Sequence, residues 1–201
     1  MNWTLMVSAF VTLFVIMDPV GTIPIFLSLT AGRSQATARK AAWQAVVVAF
    51  FVIAAFALFG QGILNYLGIE LASLQCAGGL LLLLVALELL TGNEEEPAAS
   101  GGTNIALVPL GTPLLAGPGA IVATMVFARQ VHGVGDFVAV AIGFVAVHIC
   151  IWLAMRFSLP INRVLRDSGV MILTRIAGVL LAAIAVQMVA DAIRAFVLGH
   201  G

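Results

Sequence analysis

The chain has 201 residues, 62% of them hydrophobic and 9% charged, with a formal net charge of zero. These values lie far from soluble-domain averages and give no basic footprint for nucleic acid. Stretches 41–69, 71–87 and 97–128 carry no charge. A helix needs roughly 20 apolar residues to cross a hydrocarbon core, and the alternation of a membrane barrel is absent. The composition therefore predicts an all-α, polytopic membrane bundle.

Six spans account for the length, and the first, over 3–30, lacks the basic region and cleavage site of a signal peptide. It is read as a retained helix, interrupted by Met17-Asp18-Pro19-Val20-Gly21-Thr22-Ile23-Pro24. Inside a helix proline removes a donor and clashes with the preceding turn, at about 3 kcal/mol. Such a break survives at membrane depth only where the freed backbone faces protein or a watery cavity. Spans two and three are expected over 41–67 and 71–90. Residues 92–103, rich in Gly, Glu, Ala and Ser, read as a cytoplasmic linker between a first three-span repeat (1–91) and a second (104–201).

Span four, 104–128, contains the second break, Gly111-Thr112-Pro113-Leu114-Leu115-Ala116-Gly117-Pro118-Gly119. Gly133-Val134-Gly135-Asp136 matches the GxGD string of intramembrane aspartyl proteases. That chemistry needs a second aspartate sharing one proton, so the segment reads instead as a turn and a helix cap. Spans five and six follow over 136–155 and 170–196, joined by a basic loop. Cys76 and Cys150 fall in separate apolar runs and read as small buried hydrophobes. No metal-ligand spacing or nucleotide loop occurs, so the expectation is no enzyme, no metal and no cofactor.

Lys and Arg in short loops set the orientation. The first loop carries Arg33, Arg39 and Lys40; the fifth carries Arg156, Arg163 and Arg166, with Arg175 just beyond. Placing both in the cytoplasm puts both termini outside. A shift of 94 positions superposes Pro19 on Pro113, Pro24 on Pro118 and Asp18 on Thr112. Because each half holds an odd number of spans, the halves face opposite ways. Two inverted three-helix repeats with discontinuous first and fourth helices are the plan of several secondary transporters.

A helix interrupted halfway exposes N–H groups that attract an anion and carbonyls that suit a cation. A small zwitterion can use both. The expected substrate site is Asp18, Gly21, Thr22, Thr112, Gly117 and Gly119, with Pro19, Pro24, Pro113 and Pro118 holding the breaks open. A carboxylate near mid-membrane costs about 2.5–3.5 kcal/mol and usually marks a function. Asp18 reads equally as an N-cap of the half-helix after Pro19. It is the first candidate for proton coupling, and His148 in span five is the second. Glu88 and Asp191 lie near span ends and read as interfacial, while Gln44, Gln75 and Gln187 read as interhelical hydrogen bonders.

The two interrupted motifs, extended to Asp18–Phe26 and Gly111–Ile121, closely resemble those of the MarC family. Ala77-Gly78-Gly79 and Ala185-Val186-Gln187 extend the likeness over essentially the whole chain. The resemblance implies a six-span protein of the prokaryotic inner membrane. Relatives of the SnatA type imply transport of small neutral amino acids, chiefly glycine and alanine, driven by protons or another coupling cation. The partners expected are therefore such a solute, the coupling ion and the lipid bilayer, and a homo-oligomer is compatible with the sequence. The alternatives are an exporter of another small metabolite or drug, and a non-transporting membrane assembly or stress protein.

Overall fold

The computed structural model describes residues 2–30, 32–91 and 115–198. The expected linker 92–103 and two site candidates, Thr112 and Pro113, lie outside the described residues. Seven helices are present among those described: α1 (Trp3–Met17), α2 (Thr22–Leu29), α3 (Gln35–Leu67), α4 (Leu71–Thr91), α5 (Pro118–Arg129), α6 (Val134–Arg156) and α7 (Ser158–Leu198). Four segments are long and apolar enough to cross a membrane: α3, α4, α6 and the Met171–Leu198 part of α7. Large apolar side chains such as Phe59, Leu84, Ile149 and Val186 lie exposed on their outer faces. Such faces suit a hydrocarbon solvent, in which only helices and closed barrels satisfy their backbone groups.

The ends of the helices are sorted. Leu5, at the start of α1, shares a buried cluster with Phe127, at the end of α5, and Val140, in the second turn of α6. Asn2 Nδ2 also donates to Asp136 Oδ1 at 3.3 Å. Leu64 and Leu71, flanking the α3–α4 turn, pack on Met125 of α5. One end of the bundle therefore gathers the starts of α1, α4 and α6 with the ends of α3 and α5. At the opposite end, Arg33 and Arg39 line the same cavity as Arg156. The two basic loops read from the sequence thus meet at one end.

Close helix contact is made by glycine. A Cβ on Gly79 of α4 would lie 2.9 Å from the Ala185 carbonyl oxygen of α7. One on Gly143 of α6 would lie 2.9 Å from the Met6 carbonyl oxygen of α1. Backbone cannot yield as a side-chain tip can. These two positions let α4 lie against α7 and α1 against α6.

One expected loop is helical. Residues 156–169 were predicted as a connection, but α6 ends at Arg156 and α7 starts at Ser158. A single residue, Phe157, turns the chain, its N–H bonding the Leu153 carbonyl at 2.9 Å. Pro160 is third in α7, where its missing N–H would have had no helical partner. The basic composition that marked a loop is also compatible with a helix lying outside the hydrocarbon layer.

Candidate functional site at the helix breaks

α1 stops at Met17 because Pro19 has no N–H for the next helical bond, and its ring would clash with the Val15 carbonyl. Asp18 takes the left-handed conformation, φ 36° and ψ 77°, and its N–H bonds the Phe14 carbonyl at 3.1 Å. It is the one non-glycine residue at positive φ among those described. Aspartate is among the few side chains that visit this region, at a cost of roughly 1–2 kcal/mol.

The same residue organises the start of α2. Asp18 Oδ1 accepts the Gly21 N–H at 3.0 Å. The Asp18 carbonyl accepts both the Thr22 N–H at 3.0 Å and the Thr22 hydroxyl at 2.8 Å. The expectation of an N-cap is therefore half of the arrangement: Asp18 is also the C-cap of α1. Oδ2 is buried, and among the described residues no donor reaches it with hydrogen-bond geometry. A Cβ on Gly21 would collide with that oxygen, so the glycine makes room for the carboxylate. Pro19, Gly21 and Thr22 are buried, and Asp18 is half-buried.

At the second break, Leu115 and Ala116 form a turn and Gly117 precedes α5 with φ −63° and ψ 160°. Gly117 has no side chain with which to cap this start, and Pro118 takes the first helical position. Proline suits that place because its N–H would be unpaired in any case. Pro24 is likewise in the first turn of α2. Of the four prolines, then, Pro19 interrupts a helix, Pro24 and Pro118 start one, and Pro113 lies outside the described residues. Gly119 is packed: a Cβ there would run into Leu82 of α4. Its bareness serves helix contact.

The two breaks meet in the interior. Met17 and Phe26, on either side of the first, share one buried cluster with Leu115, Ala116 and Ala120 of the second. Depth agrees with this. At 1.5 Å per residue, the 15 residues of α1 carry the chain about 22 Å inward, and the 12 of α5 lie within about 18 Å of the same end.

His148 sits elsewhere. It is 4% exposed on α6, with Nδ1 2.8 Å from the Phe144 carbonyl and Nε2 without a partner. Its ring packs against Phe144 and, on α3, Phe50. No hydrogen bond joins it to Asp18.

The family model described as "MarC family integral membrane protein" matches residues 3–197. The chain belongs to the MarC family. It is 38% identical over 198 residues to a UPF0056 membrane protein of Methanocaldococcus jannaschii, covering 94% of this chain and 96% of that relative. The UPF0056 membrane protein YvbG of Bacillus subtilis is 33% identical over 94% of each chain. YhcE of Escherichia coli, also a UPF0056 membrane protein, is 32% identical over 92% of this chain and 90% of its own. No solved structure matches.

Membership in the MarC family makes this a multi-pass integral membrane protein, and it turns attention to polar side chains on otherwise apolar helix faces. Thr12, Gln75, Gln187 and Asp191 line a cavity of about 390 Å³ among α1, α4, α5 and α7. Gln187 Nε2 donates to Asp191 Oδ1 at 2.8 Å, and Arg194 lies 3.8 Å from the same oxygen. From the sequence Gln75 and Gln187 read as interhelical hydrogen bonders and Asp191 as an interfacial acid, whereas Gln187 bonds Asp191 within α7. The missed signal was their i, i+4 spacing on one face of α7; the Thr12 and Gln75 contribution needed the packing of three other helices. Glu88, by contrast, is exposed near the end of α4.

Proposed function

We propose that this MarC-family chain is a proton-coupled secondary transporter of small neutral amino acids, of the SnatA kind. In this reading it sits in the inner membrane with both termini outside and is built as two inverted three-span repeats. What carries the reading is Asp18: a buried carboxylate oxygen without a hydrogen-bond partner among the described residues, at a helix break, beside a residue with no side chain. An unpartnered acceptor in such a place is costly to the fold, which supports its retention for a ligand. The ammonium of a zwitterion, or a proton, supplies the missing partner. At the start of α5, Pro118 has no N–H and the Ala120 N–H bonds the Gly117 carbonyl, so the Gly119 N–H and the helix dipole are what this end offers to the carboxylate. The cavity lined by Gln75, Gln187 and Asp191 supports a polar approach from the end where α1 starts.

A small site follows from these residues. The bare backbone at Gly21 already accommodates the Asp18 carboxylate, so the room beside it suits a substrate whose own side chain is a hydrogen or a methyl group. His148, set apart among aromatic rings, is left out of the coupling, which this reading gives to Asp18 alone.

Purified protein in sealed vesicles, with an imposed proton gradient and labelled glycine, alanine, serine and leucine, tests the proposal. Saturable glycine or alanine flux that follows the gradient is expected, with leucine poorly carried. Asp18→Asn should lower the flux by about tenfold or more, equivalent to ~1.4 kcal/mol, at matched amounts of folded protein. Absence of saturable flux of any of the four, in both directions, removes the proposal.

A further inference from the structure

A cavity of about 340 Å³ lies at the basic end of the bundle, between the α2–α3 connection and the α6–α7 turn. Among the described residues, Arg33, Arg39 and Arg156 line it and no carboxylate does. Among the described residues none of the three is in an ion pair, the single pair found being Asp191–Arg194. Three guanidiniums around one cavity repel one another unless an anion joins them. Two helices begin there, α3 at Gln35 and α7 at Ser158, and two end there, α2 at Leu29 and α6 at Arg156, so the helix dipoles offset one another and the positive character rests on the arginines.

Arg156 is held in place. Its guanidinium lies 5.5 Å from the ring centroid of Trp152 and 6.0 Å from that of Phe157. Trp152 in turn belongs to an apolar groove of about 440 Å³ between α3 and α6, with Trp43, Phe50 and His148. Trp43 and Trp152 meet edge to face, their centroids 6.2 Å apart. The register makes the two features continuous. Arg39 and Trp43 are four residues apart on α3, as are Trp152 and Arg156 on α6, so each pair shares one helix face. Moving along α3 and α6 from the basic end, a ligand meets arginine first, then tryptophan, then Phe50 and apolar side chains.

From this juxtaposition we infer a specific site for an anionic phospholipid: its phosphate is held by Arg33, Arg39 and Arg156, and one acyl chain lies in the α3–α6 groove along Trp43, Trp152 and Phe50. Basic pockets between membrane helices are the usual receptors for such headgroups. A bidentate guanidinium matches phosphate geometry better than a lysine does. The inference is independent of transport, because the lipid is read from residues at the basic end and needs no contact with Asp18.

The chain has three tryptophans. In a Trp3→Phe background only Trp43 and Trp152 fluoresce, both in the groove. The full-length protein is reconstituted in vesicles containing phosphatidylglycerol or phosphatidylcholine with brominated acyl chains. Brominated phosphatidylglycerol should quench at about tenfold lower mole fraction than the choline lipid. Arg39→Gln with Arg156→Gln should erase that preference, while Arg129→Gln, at the opposite end, should keep it. If the double variant shows no cooperative thermal transition, Arg33→Gln with Arg39→Gln replaces it, since both side chains are exposed. Equal quenching by the two lipids overturns the inference, as does a matching loss in Arg129→Gln. Inorganic phosphate that displaces brominated phosphatidylglycerol at equal concentration also overturns it, by making this a free-anion site.

Discussion

Asp18 does three jobs with two oxygens and a carbonyl. It ends α1 in the left-handed region, takes the Gly21 N–H that precedes α2, and leaves Oδ2 in the interior without a hydrogen-bond partner among the described residues. Gly21 belongs to the same device, because any side chain there meets that oxygen. Gly21→Ala should therefore turn the carboxylate away without disturbing α1 or α3. The expected outcome is a drop of roughly tenfold in amino-acid flux, ~1.4 kcal/mol, with helical circular dichroism unchanged. Unchanged flux would place the substrate away from Oδ2. The importance of Asp18 was readable from its type and from the proline after it. Its free oxygen was not, because hydrogen-bond satisfaction depends on how Gly21 and Thr22 turn back towards it.

Among the helices, the contact of α4 with α7 turns on one missing methyl group. A Cβ at Gly79 would approach the backbone of Ala185 and the side chain of Val189. By contrast, one at Gly62 of α3 meets nothing within 4 Å. Gly79→Ala should lower stability by about 1–3 kcal/mol, as overpacking does. Gly62→Ala should leave it equal or raise it by up to about 1 kcal/mol through helix propensity. Thermal unfolding in detergent compares the two, and the reverse order would show that α4 and α7 are held differently. At this scale the first break and the small-residue contacts follow from proline and glycine positions. The helical path through 158–169 does not: its arginines predicted a water-exposed loop, and charge reports exposure rather than backbone conformation.

For the whole bundle, the sorting of ends decides what faces which compartment. Arg33, Arg39 and Arg156 converge at one end, and Arg129 lies at the other with the start of α6. If the basic end is cytoplasmic, single cysteines placed by Arg129→Cys and Arg39→Cys should behave oppositely. In a background without Cys76 and Cys150, a membrane-impermeant maleimide should label the first in intact cells and the second only after permeabilisation. The opposite result would invert the orientation and place the proposed lipid site in the other leaflet.

Taken alone, the amino-acid order determined the solvent, the helical class and the family, because each rests on local quantities: apolar run length, proline spacing and two long motifs. It also determined that something interrupts the first span. Only the tertiary structure decided which residues meet. It brought Met17 and Phe26 into one buried cluster with Leu115 and Ala116, gave Gly119 to Leu82, and set His148 among aromatic rings. It also gathered arginines from distant turns and amides from two helices into separate cavities. Such contacts depend on the rotation and crossing of whole helices, which no single stretch of chain encodes.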